Sequence, residues 1–510
     1  MHVKGPALRI FWYSGTSVSN TPEDAAGRKV LALATGLVAV LLAGQFVTML
    51  VCRHEFQQVE SIVAMQSSML ARGEGIYYDL QHYPFTVSAY GPVFYTLSAG
   101  LYRLGVPAPL GGRCLSFAAL LGILVLVWRL LRLETSNRFA AWTGMLLIAS
   151  SPMLMAWGTT GHVDVLGLFF SLAALYAYSV FRSGGGTHCL ALAAVCLALA
   201  VFTKQTMVAS GAAITILLFL ENRKRAAVFA GATAGTVVVL ALLLNHATGG
   251  RYFDNAILGN LNPFSAHKAV QQAQGLLSGA GCLMVLAAAG LGRAMRGRLH
   301  PFYVYAGCAA AVLAVTAPKV GSDLNYQMEL IIALGLSAAW ALDQLGFGPE
   351  WFRSGLEGAA LLGILPVLQL LLNLMLGSTY MLERWVHEGV RRDEMAQLQP
   401  YLRPASGRVL SVAMDPLLHA RGRLDVEPLI YTLLVNSGRV RPEPVERDLA
   451  GGRFALVLLF QDVFDASAAP LDREIPSLPE THLRAIRERY RLAAHIPGPY
   501  QNGDYLYVPR

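Results

Sequence analysis

Residues 150–182 read SSPMLMAWGTTGHVDVLGLFFSLAALYAYSVFR. One apolar run ends at Trp157, the polar turn TTGH follows, and a second apolar run closes on Arg182. A helix of about 20 apolar residues crosses a ~30 Å hydrocarbon layer. The stretch therefore reads as the end of one membrane span, a tight turn at one membrane face, and a second span with an arginine at its far end. Asp164 stands at the head of that second span. A carboxylate there is unfavourable unless it is paired or faces a polar cavity, which makes it a functional candidate. Helix capping is the plainer role, and Thr159, Thr160 and His162 can fill it equally.

Working outward, the same alternation covers most of the chain. Its 510 residues are 55% hydrophobic and 14% charged, with mean hydropathy +0.47, whereas a soluble domain carries about 25% charged residues. Backbone groups in lipid must bond within their own segment, so the spans are predicted to be helices. Eleven are predicted, at 30–51, 113–132, 139–158, 163–182, 188–206, 207–220, 226–245, 275–292, 301–317, 326–345 and 356–377. The fold class is thus a polytopic α-helical membrane protein. Polar residues 1–28 precede a full-length first span, so no cleavable signal peptide is expected.

The net charge of +8 does not indicate nucleic acid, because the basic residues flank span ends. Arg129, Arg132, Arg138, Arg182, Arg223, Lys224, Arg225, Arg293, Arg296, Arg298 and Arg353 all fall on one face. The positive-inside rule makes that face cytoplasmic and puts the N-terminus there. The opposite face receives 52–112, 159–163, 204–206, 246–274, 318–325 and everything after 378. Within 52–112, LSAGLYRLG (97–105) and the stretch near 61–72 read as interfacial amphipathic helices. Residues 380–510 form a small α/β domain. RVLSVAM (408–414), FALVLLF (454–460), RLAAHI (491–496) and YLYVPR (505–510) read as strands, with helices at 383–398 and 480–490. It has no glycine-rich nucleotide fingerprint. The six cysteines lie in or beside spans and suggest no disulfide framework.

The unusual polar residues collect on the non-cytoplasmic face. Glu60 precedes SIVAMQSSMLARG and would be held on a rigid helix as a general base; Glu55 lies nearer the first span. Lys204 and Gln205 interrupt LALAVFTKQTMVAS, and Lys319 lies in APKVGSDLNYQMEL ahead of Asn325, Tyr326 and Glu329. A lysine so placed either snorkels or binds an anion; two from separate hairpins suit a phosphate near the membrane surface. Asn325 and Glu329 are four apart and share a helix face. YPFTVSAYGPVFY (83–95), including Tyr90, is either an interfacial turn or an aromatic wall for sugar or lipid. His162 and Asp164 leave a divalent cation open without requiring one.

The chain resembles the GT-C superfamily of integral membrane glycosyltransferases, in particular bacterial enzymes similar to protein O-mannosyltransferases (glycosyltransferase family 39) and the lipid A aminoarabinose transferase. The resemblance rests on an acidic residue after span one, then GEGIYYD (Gly73, Tyr77, Asp79), AYGPVFY, GGRCLS (111–116), TTGHVDVLG, Thr203-Lys204-Gln205 and the Lys319–Tyr326 segment. It covers most of the chain, and the α/β tail is shared with many bacterial members. It implies transfer of a sugar from a polyprenyl-phosphate donor to a lipid, glycan or protein acceptor on the extracytoplasmic side of a bacterial inner membrane, with inversion. An Asp-Glu pair of relatives falls on Val59 and Glu60, so the base would be Glu60 or Glu55. Asp164 would orient acceptor, donor phosphate or cation. Lys204, Lys319 and Arg113 would hold the leaving phosphate.

Two other readings compete. A transporter or flippase would carry charges near mid-membrane and repeat one half in the other; here the polar residues cluster at one face. A non-catalytic assembly protein, binding partners through 380–510, stays open because of Val59.

Overall fold

The structure, a computed structural model, describes residues 22–56, 58–296, 299–348, 358–465, 478–497 and 503–510. Arg298, Arg353, the first residues of the last predicted span and the stretch 1–21 lie outside them.

The membrane part comprises α1 (Pro22–Val51), α2 (Gln58–Ala71), α3 (Pro92–Arg103), α4 (Ala108–Glu134), α5 (Arg138–Ala149), α6 (Pro152–Gly158), α7 (Val163–Arg182), α8 (His188–Thr203), α9 (Ala209–Glu221), α10 (Arg223–Ala247), α11 (Arg251–Ala256), α12 (Ala266–Ala294), α13 (Pro301–Thr316), α14 (Met328–Gln344) and α15 (Gly358–Leu402). Every predicted span has its helix. Among the described residues six helices are long and apolar enough to cross a membrane, and α8, α9 and α13 are shorter apolar helices. The chain is a multi-pass membrane protein.

Three boundaries differ from expectation. The predicted span 139–158 is broken: α5 and α6 meet at 55°, because Pro152 disfavours helical backbone at Ser151. α12 begins at Ala266, ahead of the predicted 275, and kinks at Ala280 (φ −135°, ψ 15°). The predicted last span and the predicted helix at 383–398 are one helix, α15, of 45 residues. The expected domain boundary at 379/380 therefore falls within a continuous rod. The two helices expected in the first loop are present as α2 and α3, the latter starting at Pro92 rather than 97; α2 is buried along 61–67.

Beyond α15 come β1 (Arg408–Ser411), α16 (Met414–Arg421), α17 (Pro428–Asn436), α18 (Glu443–Ala450), β2 (Phe454–Leu459), α19 (Glu480–Arg489), β3 (Tyr490–Ile496) and β4 (Asp504–Pro509). The sheet order is β1-β2-β4-β3. β1 and β2 are parallel, with α16–α18 as their crossover; the other pairs are antiparallel. Those three helices are absent from the sequence reading.

The sheet domain is not packed separately from the first loop. Ile62, Met65, Phe85 and Val87 share one apolar core with Leu410, Val426, Leu458 and Tyr507. The backbone joins as well: Phe85 N donates to Asp425 O at 2.8 Å, and Glu427 N donates to Phe85 O at 2.9 Å. Burying one such aromatic stabilises by about 1.5–3 kcal/mol, and here each burial fastens the C-terminal domain onto the first loop.

Candidate active site

The head of α7 collects four polar side chains. Asp164 is fully buried and contacts Lys204 Nζ and His162 Nδ1, and Asn325 Nδ2 donates to its Oδ1 at 3.0 Å. Lys204, the residue that ends α8, lies 4.1 Å above the Tyr326 ring. Such a cation over an aromatic face is held by the ring quadrupole. The helices deliver these groups: α7 begins at the TTGH turn, α8 stops at Lys204, and a single 3₁₀ turn, Leu324–Gln327, presents Asn325 and Tyr326. Below them, Glu329 accepts from Ser171 Oγ at 2.7 Å and Tyr305 Oη at 3.2 Å. Lys204, Met207, Val312, Asn325, Tyr326 and Glu329 line one small pocket.

The first loop closes over this cluster. The Tyr90 ring meets His162 edge-on at 5.8 Å, and burial pushes its phenol well above the ordinary range. Gln205 Nε2 donates to Ala89 O and Ala256 O at 3.0 and 2.9 Å, so it positions the loop instead of facing the pocket. Gly91 is required here: a Cβ would stand 2.0 Å from Phe202 O. No hydrogen bond joins His162 Nε2 to the described residues.

Glu60 and Arg113 make a second buried unit, with 1% and 3% exposure. Arg113 Nε donates to Oε1 at 2.6 Å and Nη2 to Oε2 at 2.8 Å. Gly161 N adds a bond to Oε1 at 2.7 Å, and Phe56 N one to Oε2 at 3.4 Å. Burial opposes the Glu60 charge, yet Arg113 outweighs it and holds the carboxyl below its ordinary value. Arg113 also donates to Cys52 O and, at 2.9 Å, to His54 O, capping the open carbonyls past α1. Both side chains are thus saturated. The geometry runs against two expectations: Glu60 has no free lone pair facing an acceptor, and Arg113 has no donor left for phosphate. Its Gly161 contact still ties the pair to the turn that carries His162 and Asp164.

Glu55 faces away from this cluster. Its Oε2 accepts from Ser61 N at 3.3 Å, and burial, with Asp415 beside it, pushes its carboxyl well above the usual range. Asp79 is exposed; its oxygens bind Gln81 N at 2.9 Å and His82 Nδ1 at 2.9 Å, so it closes its own turn and is not part of the site. Lys319 is half-buried in a segment zipped to 263–265, where Val320 N donates to Pro263 O at 2.9 Å. Among the described residues no carboxylate lies within 4 Å of its ammonium. The structure thus brings together His162, Asp164, Lys204, Asn325, Tyr326, Glu329 and Tyr90, with Glu60–Arg113 adjoining.

Two residues escaped the sequence reading. Arg384 of α15 is buried and donates to Thr159 Oγ1 at 2.9 Å and Thr159 O at 3.1 Å. Asn255 fixes the first loop through Ser88 N and Tyr78 O. Neither stands in a stretch whose composition marks it. An apolar groove lined by Pro92, Val93, Ala198, Phe202, Leu240 and Leu244 opens on the bundle's flank and ends two residues before Lys204.

A helical bundle that crosses the membrane repeatedly, gathers acids and cations at one rim, and carries a small α/β domain over a long first loop is the GT-C architecture. Residues 90–247 match the dolichyl-phosphate-mannose-protein mannosyltransferase family. The fold is similar to ArnT from Cupriavidus metallidurans in the apo state, with TM-score 0.63 and 17% identity over 95% of this chain and 98% of that one. The same enzyme bound to undecaprenyl phosphate gives 0.59 and 16%, over 93% and 98%. The Archaeoglobus fulgidus oligosaccharyltransferase tethered to an acceptor peptide gives 0.52 and 12%, over 94% and 74%. No curated protein matches the sequence. The chain thus shares the fold of these membrane enzymes over nearly its whole length, and one segment of it, 90–247, matches the mannosyltransferase family model.

Proposed function

We propose that the protein transfers a sugar from a polyprenyl-phosphate donor to a hydroxyl-bearing acceptor on the extracytoplasmic side of a bacterial inner membrane, with inversion. The observation that carries this is the buried Asp164–His162–Lys204–Asn325 cluster, with a separate apolar groove whose lining includes Phe202, two residues before Lys204. The groove suits the polyprenyl chain; Lys204, with Lys319 six residues ahead of Asn325, suits the phosphate. Binding of undecaprenyl phosphate by the ArnT relative is consistent with this.

The acceptor oxygen attacks the anomeric carbon while the bond to the phosphate oxygen breaks. The phosphate gains charge as it leaves, and Lys204 balances it. We assign the acceptor proton to His162 Nε2 instead of Glu60. Asp164 Oδ2 stands against His162 Nδ1, so a proton held on Nδ1 leaves the lone pair on Nε2. Glu60 with Arg113 then positions the TTGH turn. Among acceptors, the site's chemistry requires only an oxygen nucleophile.

The test is transfer by purified protein in proteoliposomes with radiolabelled polyprenyl-phosphate sugars. His162→Ala is expected to lose roughly 10²–10⁴-fold in rate, the usual worth of a general base. Wild-type protein that binds polyprenyl phosphate but transfers no sugar to any acceptor overturns the proposal in favour of a non-catalytic role.

A further inference from the structure

A second cluster lies where the first loop meets the C-terminal domain, outside the site above. His54 follows the end of α1, while Asp415 and His419 stand four apart on α16 and so share one helix face. One ligand atom from each lies within 4.8 Å of the others. His54 Nδ1 is 3.2 Å from Asp415 Oδ2, and His419 Nδ1 is 3.0 Å from Asp415 Oδ1. The two rings stand 5.2 Å apart.

The surroundings hold these ligands in place. Ser61 Oγ donates to Asp415 Oδ1 at 3.2 Å, while Ser61 N donates to Glu55. Glu388 accepts from His54 N at 3.0 Å. The Asp415 side chain is 2% exposed and His54 11%, but His419 is 37% exposed, so solvent reaches the cluster from one side. Three carboxyls, Asp415, Glu55 and Glu388, thus crowd a partly buried junction. Arg391 also faces Glu55, yet its Nη1 is engaged by both oxygens of Glu394.

We propose that His54, Asp415 and His419 form a zinc site that clips the C-terminal domain to the first loop. Two imidazole nitrogens and one carboxylate suit Zn²⁺ and not Mg²⁺ or Ca²⁺, which take oxygen ligands. Water on the exposed His419 side completes the tetrahedron. The ion takes the place of the Nδ1 protons directed at Asp415, so binding releases protons and weakens at low pH. Ser61 is the outer partner that orients Asp415. Because Arg113 grips His54 O, the clip bears on the Glu60–Arg113 unit. The inference is independent of the transfer reaction.

Tag-free, full-length protein in detergent micelles is stripped with EDTA and titrated with Co²⁺ as a spectroscopic reporter for Zn²⁺. One Co²⁺ per chain is expected, with visible d–d bands of a four-coordinate ion that Zn²⁺ then displaces. His419→Ala and His54→Ala should each weaken binding at least ~10-fold, and Zn²⁺ should raise the melting temperature of the wild type but not of His419→Ala. Absence of d–d bands in the wild type, or bands unchanged in His419→Ala, overturns the site. His419 is half-exposed, so that variant decides the matter even where His54→Ala fails to fold.

Discussion

Glu60→Gln separates a structural role from a catalytic one. Glu60 and Arg113 are 1% and 3% exposed and share two short charged bonds, at 2.6 and 2.8 Å. Removing one partner of a buried ion pair destabilises by roughly 3–5 kcal/mol, because the other charge stays buried. Glutamine keeps one acceptor oxygen, and Arg113 keeps Cys52 O and His54 O, so the loss should be near the lower end, about 3 kcal/mol. Arg113→Met should cost about as much, since Glu60 then retains only Gly161 N and Phe56 N. The double variant should lose less than the sum, with a coupling of about 2–3 kcal/mol, near the top of the range for contacting residues. Denaturant titration in mixed micelles measures all three. Folded Glu60→Gln should keep the wild-type shape of the pH–rate profile. A variant that unfolds within ~0.5 kcal/mol of wild type yet transfers sugar 10²-fold more slowly, as loss of a base would require, would refute the positioning role and restore Glu60 as the base.

Three further outcomes are expected. Asp164→Asn leaves Lys204 buried without a counter-charge and should lower both stability and transfer; an active, fully stable variant would exclude the cluster from the mechanism. Phe85→Ala should loosen the C-terminal domain by about 3–5 kcal/mol, seen as faster proteolysis within 404–510 with the bundle intact, and unchanged cleavage would contradict the shared core. Glu427 is buried against Val87 N, and burial pushes its carboxyl from 4.5 up to about 8. Below 4.5 both folded and unfolded chains hold the proton. Between the two values only the unfolded chain releases it, so stability falls as pH rises, by at most roughly 5 kcal/mol, and levels off above about 8. Melting curves of Glu427→Gln should lack this fall; an identical slope in both proteins would assign it elsewhere.

The sequence alone determined which stretches are helices in lipid and which are strands. The bilayer imposes a length and demands internal hydrogen bonding, so every predicted span has a helix, and β1–β4 fall within a residue or two of their predicted starts. It also placed Asp164, Lys204 and Asn325 at one rim, because loop parity is a property of the chain. The roles it left open depend on partners distant in sequence. Glu60 reads as a base until Arg113, 53 residues on, takes both its oxygens. Arg384 carries no mark in the sequence until α15 returns it to Thr159, 225 residues away. His54 and Asp415 meet across 361 residues. A side chain's chemistry is set by what neutralises or desolvates it, and those neighbours exist only once the helices have packed.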